Sequence, residues 1–177
     1  EYTIYKGDIW KFTVEPFAYP IAGESIIATA SSQTASRGPE NAVNGSGLDA
    51  SGLLHDKDGD NNMWLSDTAG PQPTWLEFQF DKVYKLHEMW VWNYNEFMEP
   101  LLGFGFKDVT IEYSTNSIDY TMLGTTHQFA RAPGVPGYAH DTTIDLGGAV
   151  AKYIRLTANS NWGGILPQYG LSEVRFF

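Results

Sequence analysis

Asn93, Tyr94, Asn95 and Glu96 close a run, residues 85–96, that reads KLHEMWVWNYNE. Amides both donate and accept hydrogen bonds, and an aromatic ring offers an apolar face. The group therefore suits a hydroxyl-rich ligand better than a core. A second group of the same chemistry is Asn159, Asn161 and Trp162, followed by two glycines. Trp162 has two readings there, a stacking platform or a loop anchor buried against the body. Tyr94 has the same pair of readings. Catalytic constellations are missing by comparison. The chain has no Cys, and neither GxSxG nor HExxH occurs. His55, His87, His127 and His140 show no metal-ligand spacing, and no pair of carboxylates stands out as an acid and base. Asp56-Lys57-Asp58-Gly59-Asp60 begins like a calcium loop. Its Gly falls at the fourth place rather than the sixth and no Glu sits at the twelfth, so a solvated turn is the better reading. The chain is expected not to be an enzyme; a metal-dependent lyase using His and Tyr would be its best enzymatic form.

Such polar groups need a rigid support, and strands supply it. Along 85–96, Met89 and Val91 alternate with Trp90 and Trp92, the period of a sheet strand. Trp90 is expected in the core, as are Trp64 and Trp75; Trp92, nearer the polar end, is open to either role. Leu76, Phe78 and Phe80 share one face of a second strand, and Val109, Ile111 and Tyr113 one face of a third. Further strands are expected at 26–30, 120–123, 142–146, 150–157 and 171–177. The stretch 31–73, rich in Ser, Gly, Asn and Asp, is a long loop that needs a functional or metal-binding reason, with one helical turn at 40–43. Eight to ten strands and no amphipathic helix imply an all-β sandwich or jelly roll. Residues 1–24 read as two short strands, 2–5 and 10–14, or a linker remnant, packing on a main domain of 25–177.

Composition agrees with that class. The 177 residues suffice for one domain with a core, and 18 Gly, 9 Pro and 15% aromatics favour short strands and tight turns. A net charge of −10 argues against nucleic acid and against anionic membranes. It also disfavours an acidic polysaccharide unless a local cationic site exists. No apolar run is long enough to span a membrane. Because the chain starts at Glu1, it is expected to be a mature or excised fragment.

The order ATASSQ, ENAVNGSGLD, MWLSD, WLEFQFDKVYKLHEMWVWN, KDVTIEYSTNSIDYTML, AKYIRLTANSNWGG and LSEVRFF resembles the discoidin, or coagulation-factor type C (F5/8 type C), domain, closest in flavour to bacterial family 32 carbohydrate-binding modules. The likeness runs over about residues 25–177. It implies a galactose-binding-like jelly roll with no catalysis of its own, secreted by a bacterium or held at the cell surface. Appended to a catalytic domain, it would bind galactose-type sugars of a polysaccharide or glycoconjugate through loops at one end. Modules of this kind use a His, an Arg or Asn and an aromatic from separate loops. The matching loops here offer His55, Asn93, Tyr94, Asn95, Arg131, Asn161 and Trp162; His55 could equally cap its own loop. The resemblance also implies a structural calcium held by the loop 41–51 and the last strand, with Asn41, Asn44, Asp49 and Glu173 as ligands. Asn44 stands where the family usually has Asp, which lowers the ligand charge. The alternative is a discoidin-type protein-interaction or structural domain inside a larger enzyme.

Overall fold

The computed structural model describes residues 18–177, so the strands expected at 2–5 and 10–14 lie outside the described residues. In chain order the strands are β1 (Ile26–Ala30), β2 (Leu54–His55), β3 (Trp64–Leu65), β4 (Trp75–Asn93), β5 (Asp108–Ser114), β6 (Thr121–Met122), β7 (His127–Gln128), β8 (Tyr138–Ala139), β9 (Thr142–Ala158) and β10 (Gly170–Phe176). One helical turn, α1 (Glu99–Leu102), follows β4, and a 3-10 turn at Pro39–Ala42 matches the one expected near 40–43.

The runs expected at 75–80 and 85–96 are in fact one strand of 19 residues, and those at 142–146 and 150–157 are one strand of 17. β4 and β9 pair antiparallel from Trp75↔Thr157 to Val91↔Thr142, with register breaks between Gln79 and Tyr84 and between Leu86 and Glu88. At the breaks Asp81, Lys82 and Val83 are exposed on β4. At the second break β9 passes through Gly147 and Gly148 at φ 60 and 76, a left-handed backbone that favours glycine. Strands that bend this way carry one ladder round a corner into a second layer. The ribbon doubles back, so its first half faces its second. Phe176 of β10, paired with the second half, meets Phe78 and Phe80 of the first at ring-centroid distances of 5.3 and 5.1 Å.

β1 and β5 flank the first half and β10 the second, with β6 and β7 beyond β5 and β3 beyond β10. The result is the expected β-sandwich. Its core is the inward row of each strand, including Leu76, Phe78, Phe80, Met89, Val91, Ile111, Ile154 and Leu156, all fully buried. Each such side chain contributes about 1.5–3 kcal/mol relative to exposure, so the alternation read from the sequence fixes which face turns in.

Two tryptophans depart from expectation. Trp75 is half-buried on the outer face, under the Arg155 guanidinium at 5.2 Å, where Arg155 also pairs with Glu77 at 2.7 Å. Trp90 is also on an outer face, stacked on His140 at 4.2 Å and 8°. Trp92 is buried on that same side, in a small cluster with Ala132 and Tyr138 that loops lay over the sheet. Trp64 is core, as expected.

Candidate ligand-binding site

Because the β4–β9 ribbon folds double, both of its ends arrive at one end of the sandwich. The segments after β4, after β7 and after β9 therefore gather there. α1 begins with Pro100 just inside it and closes on Gly103 at φ 64, after which the chain doubles back along the β9–β10 loop. Gly163 donates its N–H to the Gly103 carbonyl at 2.8 Å, and Trp162 to that of Gly105 at 3.3 Å.

Most of the expected ligand-binding side chains hold this end together rather than face out of it. Asn93 donates to the Phe106 and Ala130 carbonyls at 2.7 and 2.6 Å and accepts from the Tyr94 N–H. Asn95 donates to Asp56 and Val135 and accepts from Gly134. Asn161 donates to Leu166 and Gln168 and accepts from Gly164. All three amides are buried, and each ties loops with both its oxygen and its nitrogen, leaving no donor for a sugar hydroxyl. Tyr94 is also sealed, packed with Met63 and Leu65, its hydroxyl accepting from Arg37. His55 is fully buried beneath Gly47; burial holds its imidazole below the usual range, and Nδ1 lies 2.9 Å from the Asp56 carbonyl. Loop closure thus takes up the three amides and packing takes up the Tyr94 ring, while His55 is sealed with its Nε2 unpartnered.

Arg131 and Trp162 are brought together. They line one cleft of about 530 Å³ with Gln128, Asp141, Thr142 and Thr143. Arg131 donates through Nη2 to the Glu99 carbonyl at 2.6 Å, which fixes its reach. Its Nε is 3.9 Å from the Glu99 carboxylate, too long for a hydrogen bond, and is unpartnered. Trp162 is half-buried with its Nε1 likewise unpartnered, and the Lys107 ammonium lies 5.3 Å from its ring. In the same lining the Asp141 carboxylate accepts from Tyr138 at 2.7 Å, and burial pushes it up from the ordinary range. Sequence reasoning missed Asp141 and Lys107. Lys107 sits beside the core residue Phe106 and Asp141 just before the strand expected at 142–146, and neither gave a signal in the sequence. The cleft offers an aromatic ring, a fixed guanidinium and a carboxylate with hydroxyls, a set that fits a small polyhydroxylated ligand.

The implied calcium position divides. Glu173 is buried, accepts from the Gly45 N–H at 3.2 Å, and is pushed up to about 8 by burial. It shares a cavity of about 600 Å³ with Asn44, Glu24 and Glu40. A buried carboxylate with one hydrogen bond beside an acidic cavity fits a cation. Asn41 and Asp49 do not fit as well: Asn41 donates to the Met63 carbonyl, and the Asp49 carboxylate accepts from Ser51, Leu53 and Leu54 within its own exposed turn. Among the described residues no three His, Cys, Asp or Glu side chains cluster as metal ligands, so backbone and amide oxygens would have to complete the shell.

The family model described as the F5/8 type C domain matches residues 27–167. No curated protein matches the chain. Among solved structures, the chain is similar to the family 32 module of Clostridium perfringens NanJ in complex with galactose, at 16% identity over 89% of this chain and 96% of that one, with a TM-score of 0.63. It is also similar to CBM32-3 from a family 31 glycoside hydrolase of Clostridium perfringens, at 21% identity over 89% and 94% with a TM-score of 0.64. A third is CpGH89CBM32-5 from the same organism, in complex with GalNAc-β-1,3-galactose, at 13% identity over 90% and 99% with a TM-score of 0.64.

Proposed function

The chain belongs to the F5/8 type C domain family, and from that premise we propose that it is a non-catalytic carbohydrate-binding module of a secreted bacterial glycan-active protein. The observation that carries the reading is the cleft in which Trp162, Arg131 and Asp141 converge on the loop-bearing end of the sandwich. The sugar complexes of the structural neighbours support the same class of ligand. Trp162 supplies the ring, Arg131 and Asp141 the hydroxyl partners, and a catalytic domain elsewhere would gain effective concentration at its substrate. Affinity for one sugar residue is expected at about −4 to −7 kcal/mol, because a shallow site gains little beyond its ordering cost. A calcium ion held by Glu173 and Asn44 with loop carbonyls belongs to the same proposal, in a structural role.

The test is a glycan array and titration with the intact protein and a Trp162→Ala variant. Binding of a galactose-type glycan that weakens about tenfold or more in the variant is expected, given the usual worth of an aromatic contact. A second reading, a protein-interaction domain, is favoured by one observation: Phe97, Leu101 and Ile165 on the loops of this end are 62, 69 and 77% exposed. Absence of glycan binding together with a stable complex to a neighbouring domain would select it.

A further inference from the structure

Two cations, Arg131 on the cleft wall and Lys107 beside the Trp162 ring, stand against a single lining carboxylate, against the sign of the whole chain. Arg131 Nε and Trp162 Nε1 are buried without hydrogen-bond partners, and both side chains line the cleft. The Lys107 ammonium stands 5.3 Å from the Trp162 ring. The whole chain carries 21 acidic against 11 basic residues. Arg131 is only weakly neutralised from behind. Glu99 spends its carboxylate on the Phe104 and Gly105 N–H groups, at 2.8 and 3.1 Å, and lies 3.9 Å from Nε. Burial pushes Glu99 up to about 7, which leaves Arg131 less countered still. The one acid lining the cleft, Asp141, has an oxygen taken by Tyr138 and Thr142 and can serve ring hydroxyls.

Resting on the carbohydrate-binding reading above, we infer that this cleft selects a sugar bearing an anionic substituent, a carboxylate or a sulfate, seated at Arg131, Trp162 and Lys107. A planar guanidinium fork held by Glu99 is suited to such a group, and charge-assisted hydrogen bonds are about twice as strong as neutral ones. The sugar's hydroxyls then face Asp141 and Thr143, where like charges are kept apart.

The experiment titrates the whole chain with galactose, galacturonic acid and galactose 6-sulfate, at low and at high salt. One of the two acidic sugars should bind about tenfold more tightly than galactose, and which one does so separates carboxylate from sulfate recognition. Salt should shrink the advantage. Lys107→Gln, with its melting curve recorded to show it folds, should reduce the advantage while leaving galactose within a few-fold of its original affinity; Arg131→Lys, checked the same way, should weaken both, the acidic sugar more. Equal binding of all three sugars overturns the inference but leaves the module a sugar binder. An advantage unchanged in both variants also overturns it, since the anion then sits elsewhere. No binding by any of the three removes the carbohydrate reading and the inference together.

Discussion

A buried amide that already meets two carbonyls and an N–H has spent both of its donors and one of its two acceptor sites. Asn95 is in that position, and its removal leaves the Val135 carbonyl and the Gly134 N–H without that partner and the Asp56 carbonyl with His55 alone. Asn95→Ala is expected to cost about 1–3 kcal/mol in denaturant unfolding, with sugar affinity of the folded fraction little changed. Glu99 gives a second residue-scale expectation. Burial pushes its carboxyl from 4.5 to about 7, so between those values the folded chain holds a proton that the unfolded chain has lost. Its contribution to stability is therefore complete below about pH 4.5 and is lost as the pH rises through about 7. Glu173 acts in the same direction up to about 8, so the effect of Glu99 is the difference between wild type and Glu99→Gln in melting curves taken across this range. A smaller fall between pH 4.5 and 7 is expected in the variant; the same fall in both would sink the assignment. At this scale the sequence reports residue type but not burial. Asn93, Asn95 and Asn161 were legible as a polar set at the end of strands, yet their partners lie up to 40 residues away along the chain.

Among the elements, the rim stands on the contact between the α1–β5 connection and the β9–β10 loop. A Cβ placed on Gly163 would run into the Leu102 carbonyl, which is backbone and cannot swing aside. Gly163→Ala is expected to force the two loops apart, lowering the melting temperature and weakening sugar binding at the adjacent Trp162. Unchanged affinity and unchanged melting would refute the close packing. The strand faces were readable because Leu76, Phe78 and Phe80 alternate without a break, as do Val109 and Ile111. The continuity of β4 and β9 was not readable. Asp81, Lys82 and Val83 interrupt the period, and Gly147 and Gly148 look like a turn. Pairing across the bend, not local propensity, keeps each run a single strand. α1 left no periodic signal, since a single turn is too short to show one.

For the molecule as a whole, a cation at Glu173 would join residues 128 positions apart, the separation between Gly45 and Glu173. An ion bound only by the folded chain stabilises it by about 2.7 kcal/mol at a hundred times its dissociation constant. Thermal melting with calcium is therefore expected to exceed melting with chelator, and Glu173→Gln should erase the difference. Identical curves in both conditions would remove calcium from the proposal. The long Ser-, Gly- and Asn-rich stretch prompted that expectation, and the turn kept by Asp49 shows that not every oxygen in it is free. Far from the rim, Ile21 donates its N–H to the Phe176 carbonyl at 2.8 Å, and Ala18, Phe177 and the Gly147–Gly148 bend border one groove. A pull on Ile21 away from Phe176 would first break that hydrogen bond, at the edge of the strand that also carries Glu173.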